Sequence, residues 1–118
     1  MVNLTEFGSA VRKARIDAKV TLQEMADELG VTPAFLSSME VGRKRIPAEW
    51  VKKIDGYFKR KKVVTPDLRQ LADVANKTIP LEGVSPQQAL LLAGFARTSM
   101  SKEQIERFSK LLKEFRKE

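Results

Sequence analysis

The sequence predicts an all-α protein, and three observations carry that expectation. Helix starts recur along the chain: Thr21, Thr32, Thr65, Ser85 and Ser101 are each followed at once by Pro, or by Gln or Glu three positions on. A hydroxyl there satisfies free N–H groups of a first turn, and Pro loses nothing at the first helical position. Apolar residues then recur three and four apart, the helical spacing. No run alternates with period two as a half-buried strand would, and the one extended candidate, Thr78-Ile79-Pro80-Leu81, is interrupted by a proline.

Taken in order, helices are expected near residues 4–18, 22–29, 33–40, 48–60, 66–76, 86–99 and 102–116. Phe7, Val11 and Ala14 stripe the first, and Leu22, Met25, Ala26 and Leu29 the second. Leu36 and Met39 anchor the third; Trp50, Ile54 and Tyr57 or Phe58 anchor the fourth. The fifth opens at Thr65-Pro66, just after the basic run Lys59-Arg60-Lys61-Lys62, which reads as a joint between two domains, 1–62 and 63–118. The sixth contains Ala89 to Ala96, apolar all round, so it should be covered on every side. In the seventh, Ile105, Phe108, Leu112 and Phe115 form a packing seam. A single small core could cover these residues, and a partner chain could do so better.

Composition excludes several classes of function. Hydrophobic residues at 42% and charged residues at 31% of the 118 are ordinary globular values and exclude wholesale disorder. Cysteine and histidine are both absent, which removes disulfides, thiolate or imidazole metal sites, and nucleophile–base pairs built on either. The carboxylates do not fill that gap: Asp27 and Glu28 diverge by about 100° on a helix, and Asp17, Asp67 and Asp73 show no ligand spacing. No enzymatic activity, no metal and no cofactor are expected. The longest apolar stretch is far short of the roughly 20 residues of a membrane span. The first residues lack a basic region followed by an apolar one, so a cytoplasmic protein is expected.

Charge gives the first positive indication. Residues 43–62 carry nine Lys and Arg against Glu49 and Asp55, a balance of +7 that equals the net charge of the whole chain. A concentrated basic segment attracts a polyanion, either nucleic acid or an acidic membrane face. The segment before it, Thr21 to Pro47, narrows the choice. Two short amphipathic helices are joined by Leu29-Gly30-Val31-Thr32, where Gly30 suits the left-handed residue that ends a helix. If Leu36 and Met39 of the second helix point inward, then Pro33, Ala34, Ser37 and Ser38 point out, with Val41 just beyond. Side chains that short let a helix approach the floor of a major groove, and Arg43-Lys44-Arg45 follow where a turn would meet phosphates. RNA is disfavoured, because the aromatic residues sit on inward stripes rather than on a stacking platform.

From Phe7 to Phe58 the sequence resembles the phage-repressor-like helix-turn-helix proteins, typified by lambda repressor and Cro and also called the Xre type. The resemblance is carried by Arg12-Lys13-Ala14-Arg15, Thr21-Leu22-Gln23-Glu24-Met25-Ala26, Leu29-Gly30-Val31-Thr32, Phe35-Leu36-Ser37, Glu40-Val41-Gly42-Arg43 and Pro47, in order and at fixed spacing. It implies a five-helix helix-turn-helix domain followed by a C-terminal helical dimerisation segment. It further implies a transcriptional regulator, a repressor by expectation, that binds a palindromic double-stranded DNA operator as a homodimer.

By position, Gln23, Thr32, Pro33, Ala34, Phe35, Ser37, Ser38, Arg43, Lys44 and Arg45 are the expected DNA-binding residues. Arg15 and Glu40 form the structural ion pair, expected to be partly buried. Leu22 stands where several relatives carry a phosphate-binding Gln, and Ala34 and Ser38 stand where some carry base-reading Gln or Lys. Shape and phosphate contacts are therefore expected to supply more of the specificity. Leu91, Leu92, Phe95, Ile105, Phe108, Leu112 and Phe115 are the expected dimerisation residues. The competing expectation is an antitoxin-type or phage-factor-binding module whose C-terminal helices dock a partner protein.

Overall fold

The computed structural model describes residues 3–117, which form seven helices and no strand. They are α1 (Glu6–Ala18), α2 (Leu22–Leu29), α3 (Pro33–Glu40), α4 (Ala48–Arg60), α5 (Leu68–Asn76), α6 (Pro86–Arg97) and α7 (Lys102–Phe115). Most boundaries follow from local chemistry. Thr21 and Glu24 form a reciprocal capping box at the start of α2, as Ser101 and Gln104 do for α7. Thr32 accepts from the Phe35 N–H ahead of α3, with Pro33 in the first turn. Gly30 closes α2 at φ 74°, a conformation costly for any residue with a Cβ.

One start differs from expectation. Asp67, not Thr65, caps α5, accepting from the Gln70 N–H, while the Thr65 hydroxyl turns back to Asp55. A carboxylate nearer the helix supplies both an acceptor and negative charge at the positive end of the helix dipole.

The chain divides into two compact units, one through Pro80 and one from Leu81. The first contains α1–α5, with α1 packed on α3 and α5, α2 on α3, and α4 on α5. Its core joins Phe7, Val11, Met25, Leu36, Met39, Ile54, Tyr57 and Phe58 to Leu68 and Ala72 of α5. The compact unit therefore does not stop at residue 62. Helix α5 lays an apolar face against α1 and α4, which four short helices would otherwise leave open to water. The run Lys59–Lys62 is the end of α4 and a turn within this unit, not a joint between domains.

Within α4 the inward stripe is Val51, Ile54, Tyr57 and Phe58, while Trp50 is only half-buried at its edge. Tyr57 is buried with no hydrogen-bond partner for its hydroxyl among the described residues. Burial, and then the negative charge of Glu28, push its pKa above the ordinary phenol value.

The second unit, α6 and α7, has no buried residue among those described. Phe95 and Phe108 stack edge to face at 4.8 Å, yet Leu91 remains 74% exposed and Phe115 69%. The cover expected for the apolar run 89–96 is not supplied by a core within this unit.

Candidate nucleic-acid interface

Helix α3 is held by its inward side chains, Leu36 and Met39, both buried in the core. The opposite side presents Thr32 and Ala34 to solvent, with Pro33, Ser37 and Ser38 half-exposed beside them. The Thr32 hydroxyl accepts from the Phe35 N–H at 3.1 Å, so its own proton stays available to an outside acceptor. The Ser38 hydroxyl donates to the Phe35 carbonyl at 2.7 Å and is left with acceptor capacity only. Gln23 lies exposed on α2, its amide donating to Asp27 one turn on.

Glu40, the last residue of α3, fixes the angle at which that face is presented. Its carboxylate receives both arms of the Arg15 guanidinium: Nη1 donates to Oε2, and Nη2 donates to Oε1 at 3.2 Å. Its carbonyl accepts from the Thr5 N–H and the Thr5 hydroxyl, each at 3.0 Å. Arg15 is 8% exposed and Glu40 5%, so the pair is buried where a partly buried one was expected. Close packing of α1 on α3 excludes water from it. Gly8 makes that approach possible, since a Cβ there would lie 2.1 Å from the Glu40 carbonyl oxygen.

After α3 the chain turns through Gly42, at φ 82°, into the exposed cations Arg43, Lys44 and Arg45. The Arg43 and Lys44 N–H groups both donate to the Ser38 carbonyl, tying the start of this loop to the helix. The side chains form a ladder. Lys44 Nζ lies 5.1 Å above the Phe35 ring, Phe35 meets Trp50 edge to face at 5.1 Å, and Lys53 Nζ lies 4.6 Å above Trp50. Phe35, expected beside the reading positions, is thus engaged on both sides and braces α3 against α4.

Several contributors escaped the sequence reading. Thr5 and Gly8 meet Glu40 across more than thirty residues, and nothing local announces such a contact. The capping role of Thr5 was legible: its hydroxyl accepts from the Gly8 N–H at the start of α1. Trp50 and Lys53, one helical turn apart, also carried a readable signal.

Among the described residues no group of His, Cys, Asp and Glu could hold a metal ion, and no helix is long and apolar enough to cross a membrane. What the geometry offers is a small-residue helix face flanked by exposed cations, suited to a grooved polyanion.

In comparison with known proteins, residues 11–62 fit the family described as helix-turn-helix. No curated protein and no solved structure matches the chain. The matched segment spans the capped α2, the Gly30 turn, α3, the cationic loop and α4. Residues 11–62 therefore form a helix-turn-helix domain of the phage-repressor-like, Xre type, and the chain that carries it is a DNA-binding transcriptional regulator.

Proposed function

We propose that this chain is a repressor that binds a palindromic operator as a homodimer. Helix α3 enters the major groove, and Thr32, Ala34, Ser37 and Ser38 face the base edges. Arg43, Lys44 and Arg45 grip the flanking phosphates. The observation that carries this reading is the exposed small-residue face of α3 beside that cationic ridge. Ala can meet a thymine methyl, and the hydroxyls discriminate weakly, so DNA shape contributes to site choice. Gln23, at the start of α2, is placed to reach the backbone once it releases Asp27.

Dimerisation is supported by the second unit, which leaves Leu91, Phe95, Ile105, Phe108, Leu112 and Phe115 open to solvent. Half-buried Leu92 lies on the same helix as Leu91. A second copy supplies the cover that this unit lacks, through a self-complementary interface. Two copies then set their reading helices about 34 Å apart, one turn of DNA, or a multiple of it.

Selection of bound sequences from random DNA is the decisive experiment, and a palindrome is expected. With three phosphate contacts per half-site, log affinity should fall against log salt with a slope of about −5. Ultracentrifugation should give about twice the chain mass at micromolar concentration. A slope near zero would reduce the cationic loop to a solvated surface. A chain that stays monomeric both free and on DNA would favour the competing module, whose C-terminal helices dock a different protein.

A further inference from the structure

We infer that Asn76 is a positioning residue for DNA binding: its side-chain amide clasps the backbone of Ile46 and anchors the far end of the Arg43–Arg45 loop. The inference rests on the proposal that this loop grips phosphate. Asn76 is the last residue of α5, thirty residues from Ile46 and outside the family-matched segment. The Ile46 N–H donates to Asn76 Oδ1 at 2.8 Å, and Asn76 Nδ2 donates to the Ile46 carbonyl at 2.9 Å. Both bonds go to one residue, so the side chain pairs with it as a neighbouring strand would. Only one orientation of the amide satisfies both groups. Asp lacks the donor, and Leu lacks both functions.

Helix α5 does not need this side chain for its own ending. Lys77 closes it in the left-handed conformation, its N–H directed to the carbonyls of Asp73 and Val74. The cationic loop does need it. Its first half is tied to α3 through the Ser38 carbonyl, which accepts from Arg43 and Lys44. Burial of the Ile46 side chain anchors that residue in the core, while the orientation of its peptide groups is set by Asn76. With the clasp made, the backbone between the two anchors is reduced to Arg45, and the three cations are presented with little left to order on binding. Lowering that ordering cost raises affinity without adding any contact to DNA.

The test compares the full chain with Asn76→Ala, with Asn76→Leu, and with a triple variant in which Arg43, Lys44 and Arg45 become Ala. Binding to a random-sequence duplex is followed by anisotropy over a range of salt, well below each protein's melting temperature. Amide exchange is measured at Ile46. Asn76→Ala should bind about five-fold more weakly, the scale of one net hydrogen bond. Its salt slope should be unchanged, because no charge has been removed. The Ile46 amide should lose protection. Asn76→Leu, which keeps the branched shape without the hydrogen-bonding groups, gives the same readout if the Ala variant folds poorly.

A clasp that serves only the fold would lower the melting temperature and leave the affinity of the folded protein as it was, and that result overturns the inference. The triple variant separates the two levels. If it loses affinity while the Asn76 variants do not, the clasp is refuted and the loop's role stands. If it binds like the parent chain, the loop's role fails and the inference falls with it.

Discussion

Gly8→Ala is the substitution that most directly probes how the reading helix is held. An Ala Cβ would meet the Glu40 carbonyl oxygen at 2.1 Å, with the Glu40 carbonyl carbon at 2.8 Å and its Cα at 2.9 Å. All three are backbone atoms, so no side chain can swing aside. Helix α1 would have to retreat from the end of α3 by about 1 Å or more before the contact became ordinary. That retreat stretches the two Thr5 bonds to the Glu40 carbonyl and misaligns the Arg15–Glu40 pair.

Overpacking of this kind costs about 1–3 kcal/mol, and each weakened hydrogen bond about 1 kcal/mol. The better helix propensity of Ala returns about 1 kcal/mol. The net expectation is a loss of about 3 kcal/mol, a large share of a small domain's stability, lowering Tm by about 10–20 °C. Urea and thermal denaturation followed by circular dichroism measure it. Gly56→Ala in α4 is the control. There a Cβ meets only the mobile end of Arg60 at 3.5 Å, and a gain of about 0.5–1 kcal/mol is expected. A Gly8→Ala protein that melts at or above the parent's temperature would show that α1 does not approach α3 this closely.

Other expectations follow from the same contacts. Glu40→Gln leaves the Arg15 charge buried without its partner and should cost about 3–5 kcal/mol, whereas replacing both residues with Met should recover most of it; a double-mutant cycle in urea checks this. Ala34→Glu places a carboxylate on the exposed face of α3, away from Leu36 and Met39, so DNA binding should collapse in a gel-shift assay while Tm barely moves. Ser38→Glu should also abolish binding, with a small loss of stability because its hydroxyl bonds the Phe35 carbonyl. Tyr57, the chain's single tyrosine, has its pKa raised in the folded state, first by burial and then by Glu28. Its contribution to stability is therefore complete below the ordinary phenol pKa of about 10 and is lost as pH rises through the higher folded value. Tyr57→Phe should retain stability in that alkaline window where the parent chain loses it, and phenolate absorbance should report the late titration.

The all-helical class, the capped starts of α2, α3, α6 and α7, the Gly30 turn and the exposed face of α3 were all legible in the sequence. Each depends on residues within one or two turns of each other: a hydroxyl three positions from its N–H, or an apolar stripe repeating every three or four residues. The cationic loop was legible for the same reason, as a contiguous run of charge. Long-range packing determined the rest. Helix α5 enters the first unit because Leu68 and Ala72 find an uncovered face of α1 and α4, and no local signal distinguishes that docking from a linker's. The Arg15–Glu40 pair was expected only through the family resemblance, and nothing announced that Thr5 and Gly8 would reach Glu40, or Asn76 reach Ile46, across thirty to thirty-five residues. Such contacts exist only once the helices have taken their crossing angles, and the chain between the partners carries no trace of them.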